Sequence, residues 1–322
     1  FFKQKTAYEI QVWLEFRRVL FRSEEKRGYS DCMDIFIGLI ACIAAVFIGV
    51  FLAKQQARAF SSPSEGLDYP PPTGDGSLPL VNHFDYGDMR FLHLGSPAVQ
   101  GSMKISKPYE IHLEYQQRMM AWLLFTDLDK VNQLHVMQLG LGAASLTKFC
   151  NITLGMKTTA IELNPDVIET CKRWFHLPEN NDNLQVIESD AAIVAQDSEW
   201  FGKIDVLQVD LYDQAAESPV LDTAIFYANC HRLLRPNGCM TVNVFGRQSH
   251  AKKSAKKIAT SFREGSVFIF KPTKAGNSII VALRAPQQLD KHLLSEKAKI
   301  IEARWPIPTK NWIKALSSIT TH

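Results

Sequence analysis

Apolar and polar positions alternate along the second half of this chain in a strand–helix rhythm. Short apolar runs predict strands at 134–139, 157–162, 184–188, 204–210, 239–245, 266–271 and 278–283. Helical spacing predicts helices at 143–154, 165–175 and 219–234, the last closed by "RPNG". Such alternation builds a mostly parallel α/β sheet joined by right-handed crossovers. The last two strands, in "SVFIFKPTKAGNSIIVALR", read as an antiparallel hairpin with Gly276-Asn277 in its turn.

Upstream the pattern changes. "MRFLHL" (89–94) and "AVQGSMKI" (98–105) are short alternating runs separated by "GSP", which predicts a small β-hairpin domain over 81–107. "PYEIHLEYQQRMMAWLLF" (108–125) has helical spacing, with Ile111, Tyr115, Met119 and Trp122 on one face and a proline at its start. "SSPSEGLDYPPPTGDGSLP" marks a linker, assigned to 56–80. The uncharged run "IFIGLIACIAAVFIGVFLA" (35–53) is long enough for a bilayer core, so 33–55 is expected to be a membrane anchor. Lys54 and Arg58 follow it while Asp31 and Asp34 precede it, which places the rest of the chain on the cytoplasmic side. Translated upstream DNA and a cleaved signal sequence are the alternatives, the latter because "ARA" at 57–59 imitates a cleavage site. Residues 1–32 are read as non-native. Their first 25 resemble translated sequencing-adapter read-through, and Arg22-Ser23-Glu24-Glu25 is what AGATCGGAAGAG encodes in one frame.

Composition narrows the partners. A chain of 322 residues, 46% hydrophobic and 21% charged, has material for one large domain and a smaller one. A net charge of +3 is too mild to point to nucleic acid. Six cysteines show no CxxC pair and no zinc-type spacing with histidine, so reduced, buried thiols are expected. None of the nine histidines forms a ligand cluster, and no metal is implied. The charge run "AKKSAKK" (251–257) reads as a solvated helix face.

Candidate chemistry lies at the strand ends, because ligands of open α/β sheets bind outside the carboxyl ends of the strands. In "VMQLGLGAASLTKF" the first strand runs into Gly140-Leu141-Gly142, where missing side chains let backbone approach a ligand at a helix start. The second strand ends in Glu162, about twenty residues on, placed to accept ribose hydroxyls. The third ends in "SDAA". Asp190 could accept from an adenine amino group, with Ala191 leaving room for the ring, or it could simply cap the next helix. The fourth ends in "QVDLYD", where Asp210 and Asp213 bracket Tyr212 at a pocket mouth, unless they only cap a loop.

The succession GxG, "IELNP", "SDAA", "VDLYD" resembles the spermidine synthases, the aminopropyltransferases of polyamine synthesis. The likeness runs over about 85–285 and takes in "VQGSM" and "EYQQRMM", where that family has its hairpin and a tyrosine–glutamine pair. It implies a Rossmann-like, methyltransferase-type sheet over 108–285, an adenosyl-binding catalytic domain, followed by a helical tail at 286–322. It further implies a transferase moving the aminopropyl group of decarboxylated S-adenosylmethionine, a co-substrate and not a permanent cofactor, to an amine such as putrescine. By the same resemblance Glu162 would hold the ribose and Asp190 the adenine, with Gln100, Gly140, Gly142 and Ala191 lining that pocket. Asp210 with Tyr115 would meet the attacking amine, Gln116 and Asp213 would bind the amine chain, and the protein would form a homodimer. Two departures stand out: the family's GGGDGG loop reads "GLGAAS" here, with Ala143 for the aspartate, and Gln214 replaces a proline after the second acid. An S-adenosylmethionine-dependent methyltransferase, or an inactive adenosyl-binding protein, are therefore the alternatives. A nicotinamide dehydrogenase fits less well, because the third glycine of GxGxxG is Ser145.

Overall fold

The computed structural model describes residues 78–212, 221–262, 265–286 and 290–319. The segments 1–32, 33–55 and 56–77, together with Asp213, Gln214 and the first residues of the helix expected at 219, lie outside them. Among the described residues no helix is long and apolar enough to cross a membrane.

Three strands, β1 (Val81–Tyr86), β2 (Met89–Leu94) and β3 (Val99–Lys104), form an antiparallel sheet in the order of the chain. The expected hairpin is β2–β3. β1 adds a third strand that the mixed polarity of "VNHFDY" concealed. Helix α1 (Glu114–Met119) follows and continues into a tighter 3-10 stretch over Met120–Phe125. The helical face predicted for 108–125 is real, since Ile111, Met119 and Trp122 are buried together with Tyr115 packed against them. The helix nevertheless starts six residues after Pro108.

The main sheet is built from β4 (His135–Leu139), β5 (Lys157–Glu162), β6 (Leu184–Glu188), β7 (Ile204–Val209), β8 (Leu234–Phe245), β9 (Val267–Phe270), β10 (Asn277–Leu283) and β11 (Leu316–Ser318). Its spatial order is β11-β9-β10-β8-β7-β4-β5-β6. The five strands β8, β7, β4, β5 and β6 are parallel, and β10, β9 and β11 pair antiparallel at the other end. The mostly parallel sheet with its antiparallel hairpin is thus as expected. Strand β8 reaches back through "RPNG", and Asn277 is the first residue of β10, facing Phe245, so that the hairpin turn ends at Gly276.

The crossover helices are α2 (Ser145–Lys148), α3 (Pro165–Trp174), α4 (Ala191–Val194), α5 (Ala224–Leu233) and α6 (Gln248–Ala259). After the sheet's hairpin come α7 (Lys291–Arg304) and α8 (Trp312–Ala315). The helix expected at 143–154 is a four-residue turn followed by a wider π turn over Phe149–Thr153. Helix α3 starts as its sequence dictates: the Asn164 side chain accepts from the Asp166 amide, and Pro165 occupies the first helical position.

Both faces of the sheet are covered, which is why its strands read as almost continuous apolar runs. Val136, Ile279, Val281 and Leu283 point to a core under α1, α7 and α8, while Met137, Leu139, Ile280 and Ala282 point to one under α5 and α6. The charge run on α6 is a solvated face, with Ala251, Ser254, Ala255 and Ile258 turned inward. The tail is not purely helical, because β11 pairs with β9 and extends the sheet. Cys150, Cys171, Cys230 and Cys239 are free and buried.

Candidate active site

β4 carries the chain into a turn that only glycine permits. Gly140 has φ +89°, and a Cβ there would lie 2.2 Å from the Asp210 carbonyl oxygen. The turn therefore nests against the end of β7, and the Asp210 amide donates to the Leu139 carbonyl. Gly142 is also left-handed, beneath the Gln100 carbonyl of β3. The next residue, Ala143, is fully buried and packs on Gly101, where a Cβ would come within 2.7 Å of it. Ser145 Oγ donates to the Ser102 carbonyl, fastening the same turn to the small sheet. Below it the buried Lys148 Nζ donates to the Phe175 carbonyl. Burial lowers its pKa to about 8, and no carboxylate among the described residues pairs with it.

The three acids occupy successive strand ends. At the end of β5, Glu162 accepts the Leu141 amide at 2.9 Å through Oε2 and the Asn164 amide at 3.0 Å through Oε1. One carboxylate thus braces both the glycine turn and the start of α3. Burial raises its pKa, and those amides hold the rise in check. After β6, Asp190 caps α4, accepting the Ala192 amide at 2.7 Å, so the capping alternative is realised with Oδ1.

Asp210 follows β7. Its pKa is pushed up to about 6, because burial penalises the charged form more than hydrogen bonds from Asn243 and Tyr115 favour it. Asn243 Nδ2 donates to Asp210 Oδ1 at 2.8 Å. Burial and the adjacent Asp210 charge hold the Tyr115 phenol well above its ordinary pKa, so it stays a donor. Gln116 Nε2 donates in turn to the Tyr115 hydroxyl at 3.3 Å. The Tyr212 hydroxyl is engaged with backbone: it donates to the Asn243 carbonyl at 2.9 Å and accepts the Phe245 amide at 2.6 Å.

These groups meet in one cavity of about 760 Å³. Gln100, Tyr115, Gly140, Gly142, Glu162, Asp190, Ala191 and Asp210 all line it, with apolar walls from Leu92, Leu94, Leu211 and Phe245. Among the described residues it presents three carboxylates and no lysine or arginine. Gln116 sits behind Tyr115, buried and outside the lining, and Asp213 lies outside the described residues. Ala143 also lies outside the lining. Two lining residues, Asn243 and Asn277, escaped the sequence reading. The available signal was an amide inside the apolar run "TVNVF", where an unpaired polar group would be costly.

A mostly parallel α/β sheet whose glycine turn and strand-end acids share one cavity has the doubly wound, methyltransferase-type architecture. Relatives narrow the class. The chain is 29% identical over 242 residues to the polyamine aminopropyltransferase of Chromobacterium violaceum, covering 74% of this chain and 90% of the relative. It is 30% identical over 218 residues to that of Neisseria meningitidis serogroup A, covering 66% of this chain and 81% of the relative. The chain belongs to the polyamine aminopropyltransferases, a family of transferases. No family profile matches it.

Solved structures agree on the fold. A probable spermidine synthase from Corynebacterium glutamicum superposes with TM-score 0.57 at 17% identity, over 80% of this chain and 99% of the other. Human methyltransferase-like protein 13 in complex with SAH gives 0.54 at 21% identity, over 60% and 92%. A spermidine synthase in complex with the transition-state analogue AdoDATO gives 0.54 at 16% identity, over 70% and 77%.

Proposed function

We propose that this protein transfers the aminopropyl group of decarboxylated S-adenosylmethionine to a primary amine such as putrescine, releasing spermidine and methylthioadenosine. The observation that carries this reading is the charge of the cavity: three carboxylates, no cationic side chain among its described lining, and one acid buried enough to titrate near 6. Both co-substrates are cationic, one a sulfonium with an ammonium tail and the other a diamine. A carboxylate-bearing donor would find no positive side chain among those lining residues.

In the reaction the amine nitrogen attacks the carbon beside the sulfonium. The carbon–nitrogen bond forms as the carbon–sulfur bond breaks, and the electron pair leaves on sulfur as the thioether. The free amine is almost fully protonated at neutral pH, with a pKa of about 10.4 for an alkylammonium. Asp210 accepts that proton. Burial narrows the gap between the two groups by raising the acid and lowering the ammonium. Tyr115 directs the nitrogen, Glu162 receives the ribose hydroxyls, and Asp190 uses the oxygen left over from capping for the adenine amino group. Gln100, Gly140, Gly142 and Ala191 shape the adenosyl pocket, Gln116 acts from behind by holding the Tyr115 hydroxyl, and Asp213 holds the amine chain. Alignment of nitrogen, carbon and sulfur supplies much of the remaining acceleration. By the family resemblance the working unit is a dimer.

One observation favours a second reading, methyl transfer from S-adenosylmethionine. Ala143 stands where the family pattern has a carboxylate for the aminopropyl ammonium, which weakens selection for the decarboxylated donor. Calorimetry with methylthioadenosine, decarboxylated and ordinary S-adenosylmethionine, and NAD separates the readings. Preference for the decarboxylated form is expected, and preference for the carboxylated form overturns the aminopropyl assignment.

A further inference from the structure

Two chains of hydrogen-bond donors converge on Asp210. On one side Gln116 donates to Tyr115, which donates to the carboxylate. On the other, Asn277 Nδ2 donates to Asn243 Oδ1 at 3.1 Å, and Asn243 Nδ2 donates to Asp210 Oδ1 at 2.8 Å. The polarity of this second chain is forced. An ionised carboxylate only accepts, so Asn243 must present its NH₂ to Asp210, and its carbonyl oxygen then needs a donor behind it. Asn277 supplies that donor.

The backbone places it there. Asn277 pairs with Phe245 and Asn243 with Ile279, so the two asparagines are diagonal neighbours on one face of β8–β10. Asn277 is itself locked by its turn: its amide donates to Thr273 Oγ1 at 3.0 Å, and its carbonyl accepts the Thr273 amide at 2.7 Å. Gly276 at φ +100° lets the turn close against the Phe245 ring. Both asparagines are almost fully buried and meet solvent only where they line the cavity.

We propose that Asn277, acting through Asn243, is a positioning residue that fixes the orientation in which the Asp210 carboxylate meets the attacking nitrogen. Without Asn277 the Asn243 amide can turn over and aim its oxygen at Asp210, an arrangement only a protonated acid satisfies. The pair thus keeps Asp210 an acceptor in a place where burial favours the neutral form. Among the described residues, the other titratable groups facing Asp210 are Tyr115 from α1 and Tyr212 from its own segment. Glu162 and Asp190 share the cavity. This proposal rests on the reading of Asp210 as the base, and its test includes a measurement that does not.

The experiment follows the Asp210 carboxyl by carbon-13 NMR in the full chain with labelled aspartate, its signal assigned by loss in Asp210→Asn. Asn277→Leu and Asn243→Leu are each expected to raise its midpoint by about one pH unit from near 6, and the acid limb of kcat/KM should follow. In the double variant the second substitution should add nothing, since Asn277 acts only through Asn243. Turnover should fall while methylthioadenosine affinity stays within about twofold, which also reports an intact fold. Asn277→Ala poses the same question with less bulk should the leucine variant fail to fold. An unmoved midpoint in the Asn277 variants, or an equal further rise in the double variant, overturns the proposal. Wild-type protein that shows the expected NMR pattern but transfers no aminopropyl group overturns the functional reading alone.

Discussion

Asp210→Asn should make this protein both more stable and far less active, and the two effects should separate with pH. In the folded chain the Asp210 carboxyl titrates at about 6, against an ordinary value of 3.8. Because the folded pKa is raised, the native state holds the proton more tightly than the unfolded chain does. Stability contributed by this group is therefore full below about 3.8, falls as pH rises towards 6, and is absent at neutral pH. The difference is about two pH units, or up to about 3 kcal/mol at 1.36 kcal/mol per unit. Asparagine avoids that penalty. It can still accept from Asn243 through its oxygen and offer its NH₂ to the Tyr115 hydroxyl, whose own O–H proton then turns towards the cavity that Tyr115 lines. Urea denaturation at neutral pH should find the variant more stable by about 1–3 kcal/mol, with the gain gone near pH 4. Turnover should fall by about 10²–10⁴, and the acid limb near 6 should vanish from the pH profile. Equal stability at neutral pH, or a gain that persists unchanged in acid, refutes the burial argument. A variant with normal turnover refutes the assignment of Asp210 as the base.

Three further outcomes follow from other parts of the site. Glu162→Gln should weaken methylthioadenosine binding by about 1.5–3 kcal/mol in calorimetry, as for a hydrogen bond to a charged group, and unchanged affinity with native circular dichroism rules out the ribose role. Gly140→Ala should destabilise by more than about 2 kcal/mol in chemical denaturation, because it adds left-handed strain to a clash with the Asp210 carbonyl. A variant of wild-type stability would show that the turn does not need glycine. For the apolar run at 35–53, a chain beginning at Met33 should sediment with membranes, and one beginning near Ser61 should stay in the supernatant with equal activity. A Met33 product that stays in the supernatant removes the anchor.

The parallel half of the sheet was legible because burial leaves largely apolar runs, and three of them, β5, β6 and β7, end at or beside an acid. The cavity-lining acids Glu162, Asp190 and Asp210 were found for the same reason. Elements held by pairing rather than by pattern were missed. β1 has no clean alternation, and β11 is three residues that become a strand only when β9 lies alongside. The helix read at 143–154 has the right residues on its buried side, but nothing in "GLGAASLTKF" signals that Gly142 and Ala144 turn left-handed first. Asn243 and Asn277 lie 34 residues apart, and only the register of β8 against β10 makes them neighbours.

The contact between Gly101 and Ala143 bears on how this chain can evolve. A methyl group at 101 would overlap Ala143, and Ala143 has no exposed surface into which a longer side chain could grow. The same methyl would lie 2.7 Å from the Ala143 backbone nitrogen, which is there whatever side chain stands at 143, so position 101 needs glycine independently of its neighbour. Restoring the aspartate of the family's glycine loop by one substitution would bury an ionised group with no room and no water beside it. Any donor selectivity must then come from the side chains that line the cavity, of which Ala143 is not one.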